Sequence, residues 1–82
     1  MATKRYRVHI TAILDAWDDM VDIDDYAVQP DGSLKVTYQV DDECVARLRP
    51  DKVAGWFGGR FVRWVNDPQG SLDGMVIERE VA

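Results

Sequence analysis

The sequence predicts an α+β protein: a small single domain in which an antiparallel sheet of about 4-6 strands packs against one amphipathic acidic helix. Three observations predict it. Apolar residues alternate at period two over residues 4–11 and 34–40. The period lengthens to the helical one over residues 12–25. Between two alternating runs lies the turn sequence PDGS, residues 30–33. At 82 residues the chain has room for one core. Its 46% apolar content, with three Trp, three Tyr and two Phe, marks a globular rather than a disordered chain.

Residues 4–11, KRYRVHIT, put Tyr6, Val8 and Ile10 on one side and Arg5, Arg7, His9 and Thr11 on the other, which is a strand with one wet face. His9 belongs to that polar face rather than to a metal site. In the next segment, at 100° per residue, Asp15, Asp18, Asp19, Asp22 and Asp25 share one helical arc. Ile13, Ala16, Trp17, Met20, Val21 and Ile23 share the opposite arc, Asp24 alone breaks the partition, and Thr11 can serve as N-cap. Residues 26–40 then form a hairpin in which Pro30 pre-sets φ and Gly32 takes a left-handed conformation.

Residues 41–49, DDECVARLR, read as a further strand or as a short helix capped by Asp41 or Asp42, and the strand is preferred. Pro50 opens a one- or two-turn helix that Gly58 and Gly59 stop. RFVRWV (60–65) and MVIEREV (75–81) are the last two strands. The nine residues NDPQGSLDG between them exceed the tight-hairpin range and predict a mobile loop. No internal repeat or linker is read.

Charge is divided along the chain. Residues 15–43 hold ten acids against the single base Lys35, while the remainder hold nine bases against five acids. On a helix, five like-charge aspartate pairs at spacing three or four would cost roughly 0.2–0.5 kcal/mol each. Positive charge must offset this. It can come from the chain's own Arg5 and Arg7 or Arg60 and Arg63, from a basic surface on another protein, or from a divalent ion. Residues 22–25, DIDD, lack the spacing, turn glycine and terminal glutamate of a calcium loop.

Catalytic chemistry has little to work with. Cys44 is the only cysteine and reads as a small buried residue, 35 positions from the only histidine, His9. There is no phosphate-cradling glycine loop and no spaced set of metal ligands, so neither an enzyme nor a cofactor is expected. No stretch approaches the ~20 apolar residues of a membrane span, no export signal is read, and the expected setting is cytoplasmic.

The expected function is therefore a non-catalytic interaction or regulatory protein. Asp15, Asp18, Asp19, Asp22 and Asp25 would face a basic protein surface, as in an inhibitor or nucleic-acid mimic of the phage-encoded kind. An alternative is a nucleic-acid-binding module on residues 47–64, where Trp56, Phe57, Arg60 and Arg63 interleave rings with guanidinium groups. A third is a self-associating structural subunit, a homo-oligomer joined through its split charge.

Overall fold

The computed structural model describes residues 2–17, 22–39 and 43–81. Eight elements follow in order: β1 (Ala2–His9), α1 (Ile10–Trp17), β2 (Asp22–Val28), β3 (Leu34–Gln39), β4 (Glu43–Leu48), α2 (Pro50–Trp56), β5 (Arg60–Asn66) and β6 (Leu72–Val81). The strands form two antiparallel three-stranded sheets, one ordered β1-β6-β5 and the other β2-β3-β4. The class is α+β as expected. The architecture is not: six strands in two sheets and two helices replace one sheet on one helix.

The main correction falls on the acidic segment. Within α1, Ile10, Ile13, Leu14 and Trp17 stand at i, i+3, i+4 and i+7 and turn toward the core, so the helical period is real there. Thr11 lies inside the helix rather than capping it. Asp22, Asp24 and Asp25, however, belong to the strand β2. The expected helical positions Asp18, Asp19, Met20 and Val21 lie outside the described residues. The misreading has a physical cause. The β2–β3 register shifts between Ile23 and Asp25, which makes Asp24 the extra residue of a bulge. Ile23 and Tyr26 both pack on the core although they are three positions apart. A bulged strand thus reproduces the i, i+3 spacing of a helix.

The loop expected at residues 66–74 is a second correction. β5 runs through Asn66 and β6 starts at Leu72, which leaves a five-residue turn. Its Asp67 N–H donates to the Ser71 carbonyl at 2.9 Å and its Gly70 N–H to the Asp67 carbonyl at 3.0 Å. The turn at 29–33 makes the same two bonds, Gln29 N–H to the Ser33 carbonyl at 2.8 Å and Gly32 N–H to the Gln29 carbonyl at 2.9 Å. Gly32 and Gly70 have φ of 86° and 87°, which an L side chain resists.

These matching turns belong to a repeat that the linear reading overlooked. The order strand, helix, hairpin occurs twice, as β1-α1-β2-β3 and as β4-α2-β5-β6, and the first strand of each unit pairs with the hairpin of the other. A shift from Tyr26 to Trp64 carries Pro30 onto Pro68, Gly32 onto Gly70, Ser33 onto Ser71 and Leu34 onto Leu72. The bulge is repeated as well: β5 and β6 shift register between Phe61 and Arg63, where β2 and β3 shift between Ile23 and Asp25. The two halves thus repeat one topology with reciprocal strand pairing, a pseudo-two-fold arrangement of the strands.

One core joins the halves. Leu34, Val36 and Leu48 come from one sheet, Met75 and Ile77 from the other, and Ile10, Ile13, Val53 and Ala54 from the helices. The strand expected at 41–49 and the short helix after Pro50 are both present. Gly74 of β6 sits where β1 passes closely: a Cβ there would lie 2.1 Å from the Val8 carbonyl oxygen. No described helix is long and apolar enough to cross a membrane.

Candidate functional site

The pseudo-symmetry pairs equivalent positions of opposite charge. In β5, Arg60 stands across from Glu78, and in β2 its equivalent Asp22 stands across from Gln39. One register step inward, Arg63 lies opposite Val76, and its equivalent Asp25 lies opposite Thr37. β5 and β2 are both edge strands. Two equivalent edges thus carry opposite signs.

The basic edge is partly neutralised from within, at Arg60. Glu78 lies on the central strand with Arg5 on one side and Arg60 on the other. Its Oε1 accepts from Arg5 Nε at 3.2 Å, and its Oε2 accepts from Arg60 Nε at 3.1 Å and Nη2 at 2.7 Å. The Arg60 hydrogen bonds, then that from Arg5, hold the Glu78 carboxyl below its usual range, against a smaller opposing effect of burial. Asp73 takes an ion pair from Arg7, with His9 Nδ1 at 3.6 Å from its other oxygen.

The acidic edge has no such closure. Asp22, Asp24 and Asp25 are exposed and make no ion pair among the described residues. Asp25 Oδ1 accepts the Tyr26 N–H at 2.8 Å. Arg5, Arg7 and Arg60, expected as candidate counter-ions, are engaged by Glu78 and Asp73 instead. On the same sheet, Arg47 and Arg49 approach Asp31 of the first turn at 3.1 and 3.9 Å. The Asp31 carboxyl is held low, first by the Ser33 hydroxyl, then by the Ser33 N–H and by the two arginines. The carboxylates and the bulge also deter uncontrolled strand addition at this open edge.

Beside this edge runs a groove of about 510 Å³, walled by Asp24, Asp25, Tyr26 and Val28 on β2 and by Gly70 and Ser71 of the second turn. At the equivalent place in the other half, Trp64 Nε1 donates to the Gly32 carbonyl at 3.0 Å and bridges strand and turn. Burial follows this difference. Ser33 and Leu34 are wholly buried, while their equivalents Ser71 and Leu72 are exposed and half-buried.

The remaining sequence candidates are dispersed. Asp15 is exposed on α1, apart from the β2 acids in the chain. Trp56 is exposed on α2, whereas Phe57 packs on the core, as do Phe61 and Trp64. Arg63 is exposed on β5. Cys44, expected to be buried, is half-buried on β4. Among the described residues no group of three or more His, Cys, Asp or Glu side chains is placed to hold a metal ion. Sequence reasoning overlooked Glu78 and Asp73 as counter-ions and Tyr26 as a groove residue. The available signal was the pair PDGSL and PQGSL, residues 30–34 and 68–72, which aligns Tyr26 with Trp64. Comparison with protein-family models, with curated proteins and with solved structures finds no match.

Proposed function

We propose that the protein is a non-catalytic interaction protein that presents the acidic side of β2 to a basic surface on a partner. One observation carries the reading: Arg60 is neutralised by Glu78 across its sheet, while the equivalent Asp22 faces uncharged Gln39. Exposed carboxylates gathered on one edge, without a counter-ion among the described residues, favour association with positive charge and speed its encounter. A nucleic-acid-binding protein is the natural class of partner, because its surface is built for closely spaced negative charge. The protein would then act as a competitor or regulator. A single cysteine, with no intrachain disulfide to maintain, fits a cytoplasmic setting.

The test is fluorescence anisotropy with a labelled nona-arginine peptide at low salt. Substituting Asp22, Asp24 and Asp25 together by Asn removes three exposed pairs at roughly 0.2–1 kcal/mol each, and about tenfold weaker binding is expected. A control variant with the same charge change, Asp15→Asn, Asp51→Asn and Glu80→Gln, is expected to stay within about twofold of the unsubstituted protein. Equal binding by all three proteins would refute the assignment of the surface to β2. Tight binding of a single-stranded oligonucleotide in place of the peptide would favour the basic face of β1 and β5.

A further inference from the structure

The groove beside Tyr26 is one of two places where the pseudo-symmetry fails, the other being a second register shift at Val65/Asn66 that β2 and β3 lack, and the symmetry mate of the groove indicates what fits it. In the mate, an indole spans strand and turn, and its ring N–H is bonded to a glycine carbonyl. Strand, turn, bulge and left-handed glycine recur around Tyr26, but Tyr26 makes no corresponding bond to Gly70, and Gly70 and Ser71 remain exposed. The groove volume of about 510 Å³ lies within the range of small-ligand and side-chain pockets. Asp24 and Asp25 on its rim call for a cation beside the ring.

This chain carries an indole of that description. Trp56 is 38% exposed, and exposed Lys52 stands one turn before it on α2, on the same helical face. We propose that the groove is a binding site for Trp56 of a second copy of this chain. Its ring N–H donates to the Gly70 carbonyl as Trp64 donates to Gly32, and Lys52 of that copy meets Asp24 and Asp25. The inference rests on the reading of β2 as the partner-facing side and adds a second copy of this chain to the partners that side takes. A groove on one copy and a tryptophan on the next make a head-to-tail contact.

Sedimentation velocity from about 10 µM to 1 mM, with ¹H–¹⁵N correlation spectra over the same range, tests it. The expected result is concentration-dependent association, with shifts at residues 24–28 and 70–72 and at the Trp56 indole N–H. Trp56→Ala should abolish association, and N-acetyltryptophanamide added to that variant should shift the same groove amides. Tyr26→Trp, which fills the groove from within, should also abolish association while raising the melting temperature. A protein that stays monomeric at 1 mM overturns the proposal, as does association that both variants leave unchanged. Nona-arginine binding separates the two readings. A monomer that still binds the peptide through Asp22, Asp24 and Asp25 loses only the second-copy assignment. An associating protein whose peptide binding ignores those residues loses the broader one.

Discussion

Gly74 shows at the scale of one residue how tightly β1 and β6 approach. Its absent side chain leaves room for the Val8 carbonyl, so Gly74→Ala must push two paired strands apart. A loss of about 1–3 kcal/mol or more is expected, measured by urea unfolding. Glu78 gives a pH-dependent prediction. Because its carboxyl is held below the ordinary 4.5 by Arg60 and Arg5, the ionised form stabilises the fold at and above that pH. This contribution disappears as the pH falls through the depressed value. Glu78→Gln should therefore lower the melting temperature at neutral pH and flatten its decline below pH ~4.5. An unchanged acid limb would mean that Glu78 is not the carboxylate responsible. Neither residue was assigned a role from sequence, since each owes its importance to a neighbouring strand.

The elements were legible where one local period governs them. Alternation in residues 34–39 and the proline and glycines bounding residues 50–59 gave β3 and α2 nearly as they stand. β2 was not legible, because the bulge at Asp24 brings Ile23 and Tyr26 to one side at helical spacing. This predicts an asymmetry between two deletions. Removing Asp24 restores simple alternation and keeps Ile23 and Tyr26 inward, so the protein should fold. Removing Ala27 reverses the two faces on one side of the cut and should unfold it, as circular dichroism would report. In a helix both deletions would rotate the following residues alike. The hydrogen bond from Trp64 to Gly32 can be measured in the same way: Trp64→Phe should cost about 0.5–1.5 kcal/mol, and more if the smaller ring packs poorly.

For the molecule as a whole, the pairing of each unit's first strand with the other unit's hairpin places the two sheets around one core. That exchange depends on contacts distant in sequence, so only its trace, two similar turns, could be found in the chain. The charge division was legible in the sequence, but its geometry was not: Asp22, Asp24 and Asp25 lie on the edge strand β2, and Arg60 and Arg63 hold the places equivalent to Asp22 and Asp25 on β5, by symmetry rather than by contact. The radius of gyration, 13.4 Å, exceeds the ~12 Å of a compact chain of this length, in keeping with a small core and open edges. A shared core requires shared stability. Met75→Ala, in one sheet, should cost about 2–5 kcal/mol and lower amide protection in β3 of the other sheet as much as in β6. The most direct measurement is the pattern of nuclear Overhauser effects through residues 22–28. Cross-strand contacts of Tyr26 with Val36 and of Ile23 with Tyr38 are expected, alongside the equivalent pair Trp64 and Met75. A continuous series of helical i, i+3 contacts from Ile13 through Asp25 would contradict this pairing, and with it the acidic edge on which the proposed function depends.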